Sequence, residues 1–343
     1  MEKTEALLLT SPYSLRYHTG FSGGEGVALM SKRGNYLFVD SRYTEAAEKE
    51  TENFTVIEFG GGKRNQEIAQ RIEEWKISSL GYEEETMTVS EYQSLKEFLK
   101  VEEWVGCSRE LRELRMVKSE DELSVLRKAE QIGVDAYLAV LPQIKEGMTE
   151  NELAAELEYQ MRKRGAEGTS FETIAISGKK TSMPHGKPDN KKIEYGDLIT
   201  MDFGCKYQGY CSDMTRTVVL GKASEEQKKI YETVRLAQET GLGAIRPGIT
   251  GKEADGAARK VIEAAGFGKY FGHSLGHGVG LEIHELPNLS PMSELVLRPG
   301  MVVTCEPGIY VPEFGGVRIE DMVCVTENGC ENFTHLAKEL IEL

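Results

Sequence analysis

Gly196-Asp197-Leu198-Ile199-Thr200-Met201-Asp202-Phe203-Gly204 and Gly300-Met301-Val302-Val303-Thr304-Cys305-Glu306-Pro307-Gly308 are two versions of one pattern within the same chain. Thr200 falls on Thr304 and Asp202 on Glu306. A second strand-like segment follows each copy, Ser212-Asp213-Met214 in the first and Ile319-Glu320-Asp321-Met322 in the second, so Asp213 falls on Glu320. Side chains alternate along a strand, which puts Thr200 and Asp202 on one face and Thr304 and Glu306 on another. Two halves packed about a pseudo-two-fold axis would bring four carboxylates together. The flanking residues are too apolar for a solvated face. Crowded, buried carboxylates repel and are costly to desolvate, so the arrangement calls for cations between them and points to a metal centre.

The repeat extends outward. Ser119-Glu120-Asp121-Glu122 is a capping box that opens a helix to about Ile144, and Thr149-Glu150-Asn151-Glu152 opens another to about Gly165. The second copy has Ser224-Glu225-Glu226-Gln227, with a helix to about Ile245, and Thr250-Gly251-Lys252-Glu253, with a helix to about Gly266. The joints Ile144-Lys145-Glu146-Gly147-Met148-Thr149 and Ile245-Arg246-Pro247-Gly248-Ile249-Thr250 also correspond. Each half reads helix, helix, strands. That predicts an α+β domain over residues 117–343, a curved antiparallel sheet backed by helices.

Residues 1–112 read as a smaller α/β domain. Ala6–Leu9, Gly26–Met30, Tyr36–Val39 and Thr55–Glu58 have the composition of strands, with a hairpin turn at 31–35. Residues 63–75 and 89–99 have helical periodicity. The charged stretch Ser108–Arg115 reads as the link between domains.

The formal net charge of -15 over 343 residues argues against a nucleic-acid partner, and no basic run reverses it locally. No apolar run approaches the roughly 20 residues that span a bilayer, so no membrane association is expected. The N-terminus lacks a basic, long-apolar leader. The six cysteines, at 107, 205, 211, 305, 324 and 330, form no CxxC pair and read as reduced thiols, so the expected location is the cytoplasm.

Phe271-Gly272-His273-Ser274-Leu275-Gly276-His277-Gly278-Val279-Gly280-Leu281-Glu282-Ile283-His284-Glu285 holds three of the six histidines. Its glycines let backbone approach other groups closely, and histidine serves both as metal ligand and as acid–base group near neutral pH. Glycine between His273 and His277 argues against a helix there. His185 lies on an expected loop, Met183-Pro184-His185-Gly186-Lys187-Pro188, while His18 and His335 have no functional context. Gly60-Gly61-Gly62-Lys63-Arg64 and Ser177-Gly178-Lys179-Lys180-Thr181 lack phosphate-loop spacing and read as turns.

Taken together, these stretches resemble the pita-bread metallopeptidases, specifically the Xaa-Pro aminopeptidases and Xaa-Pro dipeptidases (prolidases). The resemblance also covers Tyr17-His18-Thr19-Gly20-Phe21, Leu37-Phe38-Val39-Asp40-Ser41-Arg42-Tyr43, Gly168-Thr169-Ser170-Phe171-Glu172-Thr173-Ile174, Gly209–Thr217 and Val317-Arg318-Ile319-Glu320-Asp321. It implies a C-terminal creatinase/aminopeptidase-like domain behind a creatinase-type N-terminal domain. It implies two divalent metal ions, manganese or cobalt favoured and zinc or iron admitted. Asp213 and Glu320 would bridge them, Asp202 would bind one, and His277 and Glu306 the other. A water shared by the ions would attack the bond before proline. His185, His273 and His284 would face substrate, with His284 donating to the developing oxyanion. Glu306 would carry the proton to the proline nitrogen, and Arg318 would brace the site. Proline-containing peptides are the implied substrates and a homodimer the implied assembly.

Three rivals share the fold. A methionine aminopeptidase is disfavoured by the N-terminal domain. A metal-free creatinase-like hydrolase and a non-catalytic peptide-binding module are disfavoured by the complete ligand set.

Overall fold

The computed structural model describes residues 4–343, and the described residues divide into two compact units with the boundary between Arg115 and Met116. The first is built on a six-stranded sheet in the order Thr55–Glu58, Gly34–Val39, Val27–Ser31, Ala6–Leu9, Ser79–Tyr82, Glu103–Gly106. The central strands Ala6–Leu9 and Val27–Ser31 read as apolar runs because both their faces are covered, whereas the edge strands Thr55–Glu58 and Glu103–Gly106 are part-exposed. Ala6, Leu8, Leu29 and Phe38 belong to the core on one side, and Leu7, Leu9, Ala28, Leu37 and Val39 to that on the other. Helices at Pro12–Thr19 and Thr44–Glu50 and the strands Ser79–Tyr82 and Glu103–Gly106 are additions to the sequence reading. The expected linker Ser108–Arg115 is itself helical, within Ser108–Met116, with Leu111 buried.

The second unit carries the repeat. Its helices are Glu120–Val140 and Glu150–Lys163 in one half, Glu225–Ala244 and Gly251–Ala264 in the other. All four open with a complete capping box, on Ser119, Thr149, Ser224 and Thr250. Each such cap is worth roughly 1 kcal/mol and fixes where its helix begins. Strand Leu198–Phe203 lies between Ile174–Ser177 and Met214–Val219; strand Val302–Cys305 lies between Gly276–Gly278 and Asp321–Val325. All strand pairs described in this unit are antiparallel. The turn before each central strand places a glycine at positive φ, Gly196 at 89° and Gly300 at 84°, a conformation that costs other residues strain.

Each half packs its helix pair on its strands. Ile199, Met201, Phe203 and Val218 meet Tyr137, Leu153 and Leu157 in one core; Val303, Cys305 and Val323 meet Val234, Ala237 and Ala258 in the other. At the seam between the halves, Glu320 N–H donates to the Thr215 carbonyl at 3.1 Å, forming an isolated antiparallel bridge. Gly178–Ser182, expected as a turn, winds into a 3-10 helix.

Candidate metal centre

On strand Leu198–Phe203 the odd-numbered side chains Ile199, Met201 and Phe203 enter the core, leaving Thr200 and Asp202 on the opposite face. Asp202 is the one acid of the four that lies inside a strand. Asp213 directly precedes Met214–Val219, Glu306 directly follows Val302–Cys305, and Glu320 sits on the isolated bridge before Asp321–Val325. The sequence reading placed all four on strands. Three occupy strand ends, where the backbone has left the regular ladder and the carboxylate turns inward.

His277 is the middle residue of Gly276–Gly278. A Cβ on Gly276 would lie 2.1 Å from the Thr304 carbonyl oxygen, and one on Gly278 2.4 Å from that of Leu286. Only glycine lets this segment thread between its neighbours.

Asp202, Asp213, His277, Glu306 and Glu320 line one cleft of about 950 Å³, together with His185, His273, His284, Tyr310 and Arg318. Asp213, His277 and Glu320 each present a ligand atom within 4.8 Å of the other two. His277 Nε2 lies 3.5 Å from Asp213 Oδ2 and 3.3 Å from Glu306 Oε1. His18 and His335 are not among the lining residues.

Burial, and then the charges of Glu320 and Asp202, push the Asp213 carboxyl well above its ordinary range. Burial, followed by Glu306 and Asp202, does the same to Glu320. Burial also raises Asp202, against the pull of Arg318. Glu306 moves the other way: burial alone would raise it, but its bond to His277 and that ring's charge hold it low. Burial works against charge on His277, yet Glu306 outweighs it and raises the ring. This cluster is starved of positive charge.

Two observations show that a divalent cation fits. Asp202 Oδ1 is buried with no hydrogen-bond partner among the described residues. His277 Nδ1 lies 3.1 Å from the Gly278 carbonyl, which can only accept, so Nδ1 carries a hydrogen and Nε2 is the nitrogen turned toward the carboxylates, able to ligate a metal once its own proton leaves. Four carboxylates and one imidazole make a hard, oxygen-rich donor set.

Arg318 braces the centre. It donates to Asp202, to the Thr215 hydroxyl at 3.1 Å and to the Tyr310 hydroxyl at 2.8 Å. Thr215 in turn donates to Glu320 Oε2 at 2.6 Å, and Thr304 to Glu306 Oε1 at 3.1 Å. His273 has both nitrogens engaged, Nδ1 with the Ser274 carbonyl at 2.8 Å and Nε2 with the Tyr310 hydroxyl at 2.9 Å. Burial lowers its basicity, so Tyr310 donates to a neutral ring. His284, exposed at the mouth of the cleft, packs edge-on against His277 at 4.3 Å between ring centroids, and local desolvation, then His277, lower it too. Tyr310 and Thr215 have no role in the sequence reading, and Thr304 is noted there only as the counterpart of Thr200. Thr304 had a cue, since it shares a strand face with Glu306; Tyr310 had none.

Residues 2–117 match the creatinase/prolidase N-terminal domain. A Bacillus subtilis protein described as the uncharacterised peptidase YqhT is 47% identical over 339 residues, 99% of this chain and 96% of its own length. The Xaa-Pro dipeptidase of Pyrococcus horikoshii is 42% identical over 338 residues, 98% of this chain and 94% of its own. Among solved structures, an Xaa-Pro dipeptidase from Bacillus anthracis superposes with a TM-score of 0.97 at 44% identity, covering 99% of this chain and 96% of that one. An X-Pro aminopeptidase from Thermotoga maritima gives 0.94 at 40% identity, covering 99% and 98%. A model of metallopeptidase family M24 matches residues 124–327, a stretch that holds all five residues of the centre, and the chain belongs to that family.

Proposed function

We propose that this chain is a divalent-metal-dependent peptidase that hydrolyses the bond joining an N-terminal residue to proline, in Xaa-Pro dipeptides or at the start of longer peptides. The observation that carries the reading is the complete five-residue donor set with Asp202 Oδ1 buried and unpartnered. A metal-free hydrolase or a passive peptide binder on this fold would have to leave that oxygen unsatisfied, at a cost of about 1–3 kcal/mol. The proline preference draws on the names of the relatives.

Asp202, Asp213, His277, Glu306 and Glu320 would hold two ions, with Asp213 and Glu320 shared. When bound, such ions supply Lewis-acid polarisation and make water acidic enough to act near neutral pH. The chain's own groups do the rest. Glu306, ionised as a ligand, would accept a proton from the attacking water and return it to the leaving nitrogen. A bond to proline is a tertiary amide, so that nitrogen leaves only once it is protonated. His284, held neutral by local desolvation and the charge of His277, offers an N–H to the developing oxyanion. His273, locked by Ser274 and Tyr310, shapes the wall of the cleft, and His185 lines it from the turn at 183–186. Arg318 holds Asp202 and Tyr310 in place. Manganese or cobalt as the working ion, a homodimer and a cytoplasmic setting complete the proposal.

The test is hydrolysis of an Xaa-Pro dipeptide, an Xaa-Pro-Yaa tripeptide and an Xaa-Ala control by manganese- or cobalt-loaded protein, with and without chelator. Chelator-sensitive cleavage of either proline peptide, with the control spared, is expected. Cleavage that chelator leaves untouched, or equal cleavage of the control, overturns the reading.

A further inference from the structure

Behind the cleft lies a second set of buried polar groups that the mechanism leaves unused. Glu130, on helix Glu120–Val140, has no exposed surface. Its Oε2 accepts the backbone N–H of Asp213 at 3.3 Å, and its Oε1 accepts the Thr334 hydroxyl at 2.5 Å. Thr334 Oγ1 also accepts the Met322 N–H at 2.9 Å.

Beside it, the buried Arg216 donates to the carbonyls of Thr215, at 2.9 Å, and Glu320, at 2.6 Å, and to Asp321 Oδ1 at 2.8 Å. The other oxygen of Asp321 takes Lys338 Nζ at 2.7 Å and Asn332 Nδ2 at 2.7 Å. Asp213 is therefore gripped by its own N–H and Glu320 by its own C=O. These residues come from different halves of the repeat.

One short segment supplies the outer end of both grips, since Asn332, Thr334 and Lys338 lie within seven residues of sequence. That segment is itself anchored. Tyr231 donates from its hydroxyl to the Lys338 carbonyl at 3.0 Å. Further on, Val219 N–H donates to Ile341 O at 3.0 Å and Leu343 N–H to Val219 O at 2.9 Å. Leu336, Ile341 and Leu343 pack on the core of the first half.

We propose that residues 332–338 are a positioning clamp for the metal centre, setting the backbone of Asp213 through Thr334 and Glu130 and that of Glu320 through Lys338, Asn332 and the Asp321–Arg216 pair. The inference rests on Asp213 and Glu320 being metal ligands. Groups that orient ligands typically govern metal retention by 10- to 100-fold. The clamp acts on ligand placement and touches no substrate, so it governs how long metal stays and leaves peptide binding alone.

The experiment uses the whole chain loaded with manganese and follows metal loss to an excess of chelator. Variants are Thr334→Val and Lys338→Met, with Thr334→Ser to restore the hydroxyl. Lys222→Met serves as control, because it removes the exposed Lys222–Glu342 pair, four residues beyond the clamp, without touching the clamp. The melting temperature of each metal-free protein and its KM are measured alongside. Expected are loss rates about 10-fold or more above wild type for Thr334→Val and Lys338→Met, an unchanged KM, and wild-type rates for Thr334→Ser and Lys222→Met. The proposal is overturned by loss rates within about twofold of wild type in folded variants. It is equally overturned if loss rates merely track the metal-free melting temperature across the set, control included. Wild-type protein that takes up no manganese would sink the metal assignment itself, before any variant is compared.

Discussion

Arg318 donates a hydrogen bond to Asp202 across 116 positions of sequence, tying the second copy of the repeat to the central strand of the first. Both residues are buried, and the guanidinium also serves Thr215 and Tyr310. Arg318→Met leaves an unpaired carboxylate and two hydroxyls short of a donor, so kcat should fall by about 10- to 100-fold and the protein lose about 3–5 kcal/mol of stability. Arg318→Lys should recover little, because an ammonium cannot span three partners in a planar fork. Steady-state kinetics with a denaturant titration check both; a lysine variant near wild type would contradict the bracing role.

Asp213→Ala removes a carboxylate proposed to be shared by both ions. Hydrolysis should disappear and metal content should drop, read by elemental analysis of dialysed protein. More than about a tenth of wild-type activity would contradict the shared role, since one lost ligand typically matters more than the 10-fold of an outer contact.

Metal uptake should release protons. Asp213, Glu320 and His277 are all raised in the metal-free protein, so each keeps a proton to higher pH than usual. Bound metal needs those lone pairs, so binding expels protons and apparent affinity climbs with pH. Calorimetric titration of chelator-stripped protein at neutral pH, in buffers of different ionisation enthalpy, measures the number released. A value of zero would mean that the cluster is already ionised.

Glu130 gives a pH signature of the opposite sense. Burial pushes its carboxyl up to about 8, against 4.5 as its ordinary value. The folded state therefore binds this proton more tightly than the unfolded chain. Its contribution to stability is complete below about pH 4.5 and is lost as pH rises through about 8. Glu130→Gln should flatten that decline in melting temperature in chelator-treated protein. An identical pH profile in variant and wild type would refute the burial effect.

The repeat was legible because its markers are local. A capping box needs only four residues, and Thr200-Met201-Asp202 discloses its face by alternation alone. What escaped notice depends on tertiary contact. Helix Thr44–Glu50 buries one residue, Ala47, so it has no apolar stripe to detect. Strand Ser79–Tyr82 is four residues long and interrupted by Gly81. Glu130 sits in Lys128-Ala129-Glu130-Gln131, which reads as a solvated turn of helix, yet it lies at the heart of the unit. Tyr310 gains its meaning from Arg318 and His273, neither of which is its neighbour in sequence.

The bridge between Thr215 and Glu320 makes the two halves mutually dependent. Each copy supplies two carboxylates, half of the acidic donor set, so neither could hold the full complement of ions alone. Ions bound there would act as a weld across the internal joint, and removing them should loosen that joint before either half unravels. The Glu320 amide, which closes the bridge, would then be a natural reporter, its hydrogen exchange quickening on chelation while amides inside the flanking helix pairs stay protected.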